Sequence, residues 1–358
     1  GGILLSRSFL INSHKGEYEV NFSQFIFEED KEKSFDHCIF IIDARLNEIY
    51  RDKLSYITNN CRHIFINATE TNKSLDKFPN YINELVRLSF KRDETLIAIG
   101  GGIVQDITCF IASTIMRGVK WEFYPTTLLA QADSCIGSKS SINSGKIKNI
   151  LGTFYPPKKV TLDIDFISSL ESKDILSGLG EIIKVHAIDS ANSFNSLALD
   201  YQEILSDKSL MEKYIYDSLL IKKRIIELDE FDTGPRNVMN YGHSFGHAIE
   251  SATNFGIPHG IAVTIGMDIA NFVANKIGLS DYENFKRMHA LLKTNYEPFA
   301  DYKIEADKVI TALEKDKKNT ASELRLILPD ESGSINIVLC PKDDLLMNSI
   351  KSYFQEIL

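Results

Sequence analysis

Thr95-Leu96-Ile97-Ala98-Ile99-Gly100-Gly101-Gly102-Ile103-Val104-Gln105-Asp106 is the stretch that decides the fold. An apolar, β-prone run passes straight into three consecutive glycines, and helical spacing begins at once. That is a strand, a tight turn and a helix, the turn being one where backbone comes close to whatever lies above it. Backbone N–H groups at such a helix start suit a pyrophosphate, which makes the turn a candidate dinucleotide site, although its spacing is not GxGxxG. Outward from it the same rhythm repeats. Short β-branched runs stand upstream at Cys38 to Ile42 and His63 to Ile66, with a helical pattern from Ser74 to Phe90. Further strands are expected downstream at Trp121 to Tyr124 and Lys159 to Asp163. This alternation predicts an α/β N-terminal domain over 1–160, with a doubly wound, mostly parallel, Rossmann-like sheet.

After residue 160 the strand rhythm stops. Helical spacing dominates, as at Leu210 to Leu228, Val238 to Ala252 and Ile261 to Ile277. A late hairpin is expected from Leu324 to Leu328 and Ile335 to Leu339, then a closing helix from Lys342 to Phe354. Residues 161–358 therefore read as a mainly α-helical second domain. Two domains also suit the length, since 358 residues exceed the usual reach of one core.

Composition narrows the function. Hydrophobic residues at 44% and charged residues at 25% describe an ordinary folded protein. A net charge of -9 argues against a general nucleic-acid surface, which needs clustered cations. Cys38, Cys61, Cys109, Cys135 and Cys340 form no CxxC pair, so reduced thiols and a cytoplasmic location are expected. Leu96 to Met116 is apolar but interrupted by the glycines, Gln105 and Asp106, and does not read as a membrane span. Ile3 to Leu5 is too brief, and lacks a cationic lead-in, to read as a secretory leader.

Three constellations carry chemistry. His243 and His247 are four apart in a helical pattern, which puts both imidazoles on one face. Ser244 stands where a zincin would carry its catalytic glutamate, so no metalloprotease is implied. Glu181, in Gly178-Leu179-Gly180-Glu181 read as a turn opening a helix, and His259, in Pro258-His259-Gly260 at the head of another, add a carboxylate and a third imidazole. One carboxylate with two imidazoles leaves an open position on a catalytic metal. Lys139, Lys148, Lys184, Lys222, Arg236, Lys317 and Lys318 would, if several converge, define an anionic ligand.

In this order the pieces resemble the dehydroquinate synthase family of sugar-phosphate cyclases, from about Ile39 to Leu328. The motifs are Gly100 to Asp106, Pro125 to Ser134, Gly178 to Lys184, Asn240 to Glu250, Pro258 to Gly260 and Asp316 to Lys318. The resemblance implies a carbon–oxygen lyase with NAD and zinc or cobalt, probed by a small phosphorylated sugar acid in a cleft, and usually a homodimer. It implies conversion of 3-deoxy-arabino-heptulosonate 7-phosphate to 3-dehydroquinate, a shikimate-pathway step. By motif, Glu181, His243 and His259 would hold the metal. Asp106, Lys139, Asn149, Lys184, Lys222, Arg236, Asn240, His247 and Lys317 or Lys318 would meet substrate. Asp43, Glu70, Lys73, Gly101, Gly102, Thr126, Thr127, Asp133 and Lys148 would meet NAD. In the family the pair matching Lys222 and Arg236 holds the substrate carboxylate.

Three departures stand out: Gln105 and Asp232 where the family usually has glycine and glutamate, and Ser138-Lys139-Ser140-Ser141 for Gly-Lys-Thr-Gly. They leave room for a specialised cyclase acting on a related heptulose phosphate or amino analogue. A metal-dependent polyol dehydrogenase, which shares the glycine turn and helical metal domain, is the rival from another class.

Overall fold

The structure is a computed structural model that describes residues 7–23 and 35–358, and Ile3 to Leu5 lie outside them. It divides into two compact units, the first ending at Leu170 and the second running Glu171–Leu358. The division falls at 170 rather than 160 because the last strand of the sheet and the 3-10 turn after it, Ile164–Ser169, belong to the first unit.

The first unit opens with β1 (Ser8–Ser13), β2 (Gly16–Phe22) and β3 (Cys38–Asp43). Helices α1 (Ala44–Ile49) and α2 (Arg51–Asn60) lead to β4 (His63–Ile66). After α3 (Phe78–Arg87) come β5 (Thr95–Gly100), α4 (Gly102–Thr114) and β6 (Lys120–Pro125). The hairpin β7 (Lys139–Ser144) and β8 (Ile147–Phe154) precedes β9 (Lys159–Leu162). The main sheet has the order β1-β2-β9-β6-β5-β3-β4. It is parallel from β2 to β4, and β1 joins β2 antiparallel. Ile39, Phe40, Ile41 and Ile42 are all buried, as expected of a strand covered on both faces.

Two sequence expectations are corrected here. The pattern from Ser74 follows one 3-10 turn, Glu70–Lys73, begins as another, Leu75–Lys77, and becomes α-helix only at Phe78, with Pro79 in its first turn where the missing N–H costs nothing. The hairpins β1–β2 and β7–β8 were not anticipated at all.

The second unit is helical: α5 (Ser172–Asp189), α6 (Ala191–Ile204), α7 (Lys208–Leu228), α8 (His243–Ala252), α9 (His259–Lys276), α10 (Tyr282–Tyr296) and α11 (Ala306–Glu314). The antiparallel pair β10 (Glu323–Pro329) and β11 (Ile335–Pro341) and the closing α12 (Asp344–Glu356) follow. α9 is buried along almost its whole length and is the core of this unit. No helix among the described residues is long and apolar enough to cross a membrane.

The helix expected over Val238 to Ala252 is broken. Pro235–Asn240 is 3-10, and Gly242 turns the chain with φ +78 before α8 starts. Only glycine suits that place, since a Cβ there would lie 2.7 Å from the Val263 carbonyl oxygen of α9.

Candidate active site

The break at Gly242 sets His243 in the first turn of α8, and two other helices complete a cluster with it. Glu181 lies inside α5 and not at a turn before it, because the neighbouring glycine serves packing. A Cβ on Gly180 would lie 2.1 Å from the Gly260 carbonyl oxygen. The two backbones therefore approach as closely as glycine permits, with Glu181 beside the start of α9. Ser177 Oγ accepts the Gly260 N–H at 2.8 Å and fixes that start, where His259 is the first helical residue.

Glu181 Oε1 is then 3.4 Å from His243 Nε2 and 3.2 Å from His259 Nε2. The three ligand atoms form a group that could hold a metal ion. Lys184, one turn along α5, stands 2.8 Å from Glu181 Oε2 with its side chain almost fully buried, but off hydrogen-bond geometry, so Oε2 is buried without a hydrogen bond. A buried carboxylate whose Oε1 faces two imidazole nitrogens fits a cation far better than it fits an apolar core. Burial alone would raise the Glu181 carboxyl, but Lys184 and His243 hold it well below the usual carboxylate range. Burial lowers His243 to about 4, keeping the imidazole neutral as a ligand must be. Burial would lower His259 too, but hydrogen bonds to Glu181 and Glu250 raise it to about 10.

His247 borders this set, its ring centroid 5.5 Å from that of His243, and is largely exposed. Val185, Ile221 and Met239 form one buried cluster, and each is the immediate chain neighbour of a predicted site residue: Lys184, Lys222 and Asn240. Arg236 is buried, with its guanidinium donating to the Glu230 carbonyl at 2.5 Å. Asp229 shapes the turn before it by accepting from Thr233 N, Gly234 N and Arg236 N. Lys317 and Lys318 are exposed after α11 and are not drawn into the set.

In the first unit, the predicted cofactor residues gather at the carboxyl ends of four adjacent strands. Asp43 ends β3, Gly101 and Gly102 follow β5, Thr126 and Thr127 follow β6, and Glu70 and Lys73 follow β4. Open α/β sheets bind ligands at such ends. A Cβ on Gly101 would meet Thr127 Cγ2 at 2.8 Å, whereas one on Gly102 would meet nothing within 4 Å. Gly102 is thus not required by its neighbours, and the open space over the first turn of α4 fits an approaching phosphate. Asp43 also accepts from Arg45 N and Leu46 N as the cap of α1. Asp133 is buried in a π-helical turn, Ala130–Ser134.

A hydrogen-bonded network lies at this end of the unit. Lys73 Nζ is 3.2 Å from Asp106 Oδ2 and donates to Asn149 Oδ1 at 2.8 Å, with Glu70 at 3.6 Å. Asn143 donates to Glu70 Oε1 and accepts from Asn149 N, and Ser141 N donates to Asp106 Oδ1. Burial raises Asp106 to about 6, against the lowering effect of Lys73. Lys139 and Lys148 are exposed on the β7–β8 hairpin. Gln105 exchanges two hydrogen bonds with Ser134, from Nε2 to the carbonyl at 2.6 Å and from the hydroxyl to Oε1 at 3.0 Å. It ties α4 to the π-turn. Ser138 holds φ +70, a conformation that glycine adopts without strain.

Glu250, Asn143 and Ser141 were missed by the sequence reading. Glu250 was in principle visible, being two helical turns beyond His243 and one beyond His247 on the same face. Ser141 lay in the loop that departs from the family but acts through its backbone N–H, which no side-chain pattern reveals, and Asn143 carried no signal.

Comparison with known proteins supplies the class. The family model for the N-terminal part of 3-dehydroquinate synthase matches residues 63–177, and that for the C-terminal part matches 178–319. The 3-dehydroquinate synthase of Dictyoglomus turgidum is 39% identical over 307 residues, 85% of each chain. That of Dictyoglomus thermophilum is 34% identical over 329 residues, 91% of this chain and 92% of its own. Among solved structures, 2-deoxy-scyllo-inosose synthase complexed with carbaglucose-6-phosphate, NAD+ and Co2+ shares the fold, with a TM-score of 0.83, 22% identity, and 97% and 100% of the two chains covered. The glycerol dehydrogenase of Schizosaccharomyces pombe is more distant, with a TM-score of 0.58 and 15% identity over 94% of this chain and 88% of its own. The protein is an enzyme, a sugar-phosphate cyclase of the carbon–oxygen lyase class. It belongs to the 3-dehydroquinate synthase family.

Proposed function

We propose that this enzyme converts 3-deoxy-arabino-heptulosonate 7-phosphate to 3-dehydroquinate and phosphate, with NAD and a zinc or cobalt ion as cofactors. The observation that carries the reading is the Glu181, His243 and His259 set, gathered around the buried Glu181 carboxylate, on a chain of this family. When bound, NAD would take up and return a hydride, and the divalent ion would polarise the hydroxyl at the carbon concerned. Glu181, His243 and His259 would hold the ion. The strand-end residues from Asp43 to Asp133, with Lys148, would hold NAD.

The remaining chemistry falls to the side chains. Arg236 offers a planar fork to the substrate carboxylate, with Lys222 as the second cation. Lys139, Asn149 and Lys317 or Lys318 suit phosphate oxygens, where charge-assisted bonds stabilise the charge that develops on departure. Lys184 balances Glu181. Asp106, Asn240 and His247 are further substrate contacts, and Asp106, raised to about 6, is poised to exchange a proton near neutral pH. The five free thiols support a cytoplasmic location, and a homodimer and a place in the shikimate pathway belong to the same reading.

A related heptulose phosphate or amino analogue is the second reading, favoured by Asp232 and by the Ser138 to Ser141 loop. The test is anaerobic incubation of metal-loaded enzyme with catalytic NAD and each candidate substrate, with phosphate assay and mass spectrometry of the product. Phosphate release from the heptulosonate, with a product matching dehydroquinate and no accumulating NADH, is expected. Turnover of only a neutral heptulose phosphate would establish the second reading, and lasting NADH formation would make the enzyme a dehydrogenase.

A further inference from the structure

Glu250 has no role in the reading above, yet it touches one of the proposed ligands. It sits on α8 with its side chain 12% exposed, and its Oε1 accepts from His259 Nδ1 at 2.8 Å. On the far side of the same ring, His259 Nε2 faces Glu181 Oε1 at 3.2 Å. A neutral imidazole carries one N–H, and a carboxylate can only accept. In the neutral ring that a cation binds, Glu250 therefore selects the tautomer with hydrogen on Nδ1, which makes Nε2, on the Glu181 side, the nitrogen that can ligate. His243 is oriented differently, its Nδ1 facing the Tyr241 backbone carbonyl at 3.2 Å. A charged acceptor makes the stronger bond, roughly twice a neutral one. The contact also joins α8 to α9, the two helices that bear the imidazoles.

We infer that Glu250 is a positioning residue for the metal: it holds the His259 ring and its tautomer, and thereby sets the affinity of the Glu181, His243 and His259 set for a divalent cation. The inference rests on the metal reading above. Outer partners of ligating histidines change metal affinity by about 10–100-fold. One rival use of the same atoms exists. His247 Nδ1 is 3.4 Å from Glu250 Oε1, and His247, Glu250 and His259 also form a group that could hold a cation. A cation there would make Glu250 a ligand and would need the His259 Nδ1 lone pair, which the hydrogen bond occupies.

The test is a Co2+ titration of the metal-stripped full chain against a competing chelator, with absorption spectra and thermal unfolding of each metal-free form. Wild type is expected to bind one Co2+ per chain. Glu250→Ala should bind about 10–100-fold more weakly. Glu250→Gln keeps an acceptor oxygen without the charge and should fall between, with a metal-free melting temperature near wild type. That graded recovery separates positioning from a general loss of packing. Unchanged affinity in both variants would overturn the inference alone, as would a second Co2+ in wild type that both variants lose. If the alanine variant does not fold, the glutamine variant decides by itself, weaker binding supporting the inference and wild-type binding overturning it. Failure of wild type to bind Co2+ would overturn the metal reading and this inference with it.

Discussion

The helix-borne cluster of the second unit and the strand-end network of the first solve the problem of holding charged side chains in opposite ways. Glu181, His243 and His259 are placed by backbone: glycine-tight contact between α5 and α9, and a left-handed Gly242 before α8. Their ligand atoms converge, with Glu181 Oε1 facing His243 Nε2 and His259 Nε2. Lys73, Asp106, Asn149 and Glu70 are placed mainly by one another, through mutual hydrogen bonds and ion pairs. The first arrangement is pre-organised for a ligand, and the second must exchange internal bonds to admit one. Pre-organisation on rigid elements reduces the cost of binding.

The comparison can be broken most severely at the helix-borne set. His243→Ala should lower affinity for Co2+ or Zn2+ by more than about 100-fold, beyond the range of outer-shell changes, and abolish turnover. Near-normal activity with metal bound would remove His243 from the ligands. Next, Arg236→Met should weaken an acid substrate by about 2–5 kcal/mol, the cost of stripping a buried charge partner. KM values for the heptulosonate and for a neutral heptulose phosphate would show it, and equal values in variant and wild type would count against the carboxylate contact.

The network of the first unit is sharpened by pH. Asp106 titrates near 3.8 in the unfolded chain and near 6 in the folded one, with Lys73 and Glu70 facing it. Its folded value is raised, so its contribution to stability is complete below pH 3.8 and lost as pH rises through 6. Asp106→Asn should remove that decline, on the order of 2–3 kcal/mol. Urea unfolding of both proteins at pH 4 and pH 7 measures it, and parallel curves would refute the assignment. The smallest effect is at Ser138, where φ +70 strains a side chain. Ser138→Gly should raise stability by about 0.5–1 kcal/mol, net of the added freedom of the unfolded chain, as a shift in the denaturant midpoint.

The two regions were also unequally legible in the sequence. The sheet could be read because strands such as Cys38–Asp43 are buried on both faces and show as unbroken apolar runs. Hairpin β7–β8 could not, since Lys-Ser-Ser-Ile-Asn-Ser has little apolar pattern and becomes a strand through pairing with its neighbour. The imidazoles were visible through helical spacing, but Gly178 and Gly180 read as a turn when both lie inside α5 and Gly180 serves a helix crossing. Tyr241-Gly242 was hidden because apolar spacing continues across it. The roles of Lys222 and Arg236 came from family resemblance and not from spacing.

The account stands or falls most directly on where a divalent ion sits. A crystal grown with Co2+, with anomalous scattering recorded at the cobalt edge, is predicted to show one strong peak bound by Glu181, His243 Nε2 and His259 Nε2. A peak held instead by His247, Glu250 and His259, or none at full Co2+ occupancy elsewhere in the chain, would contradict it.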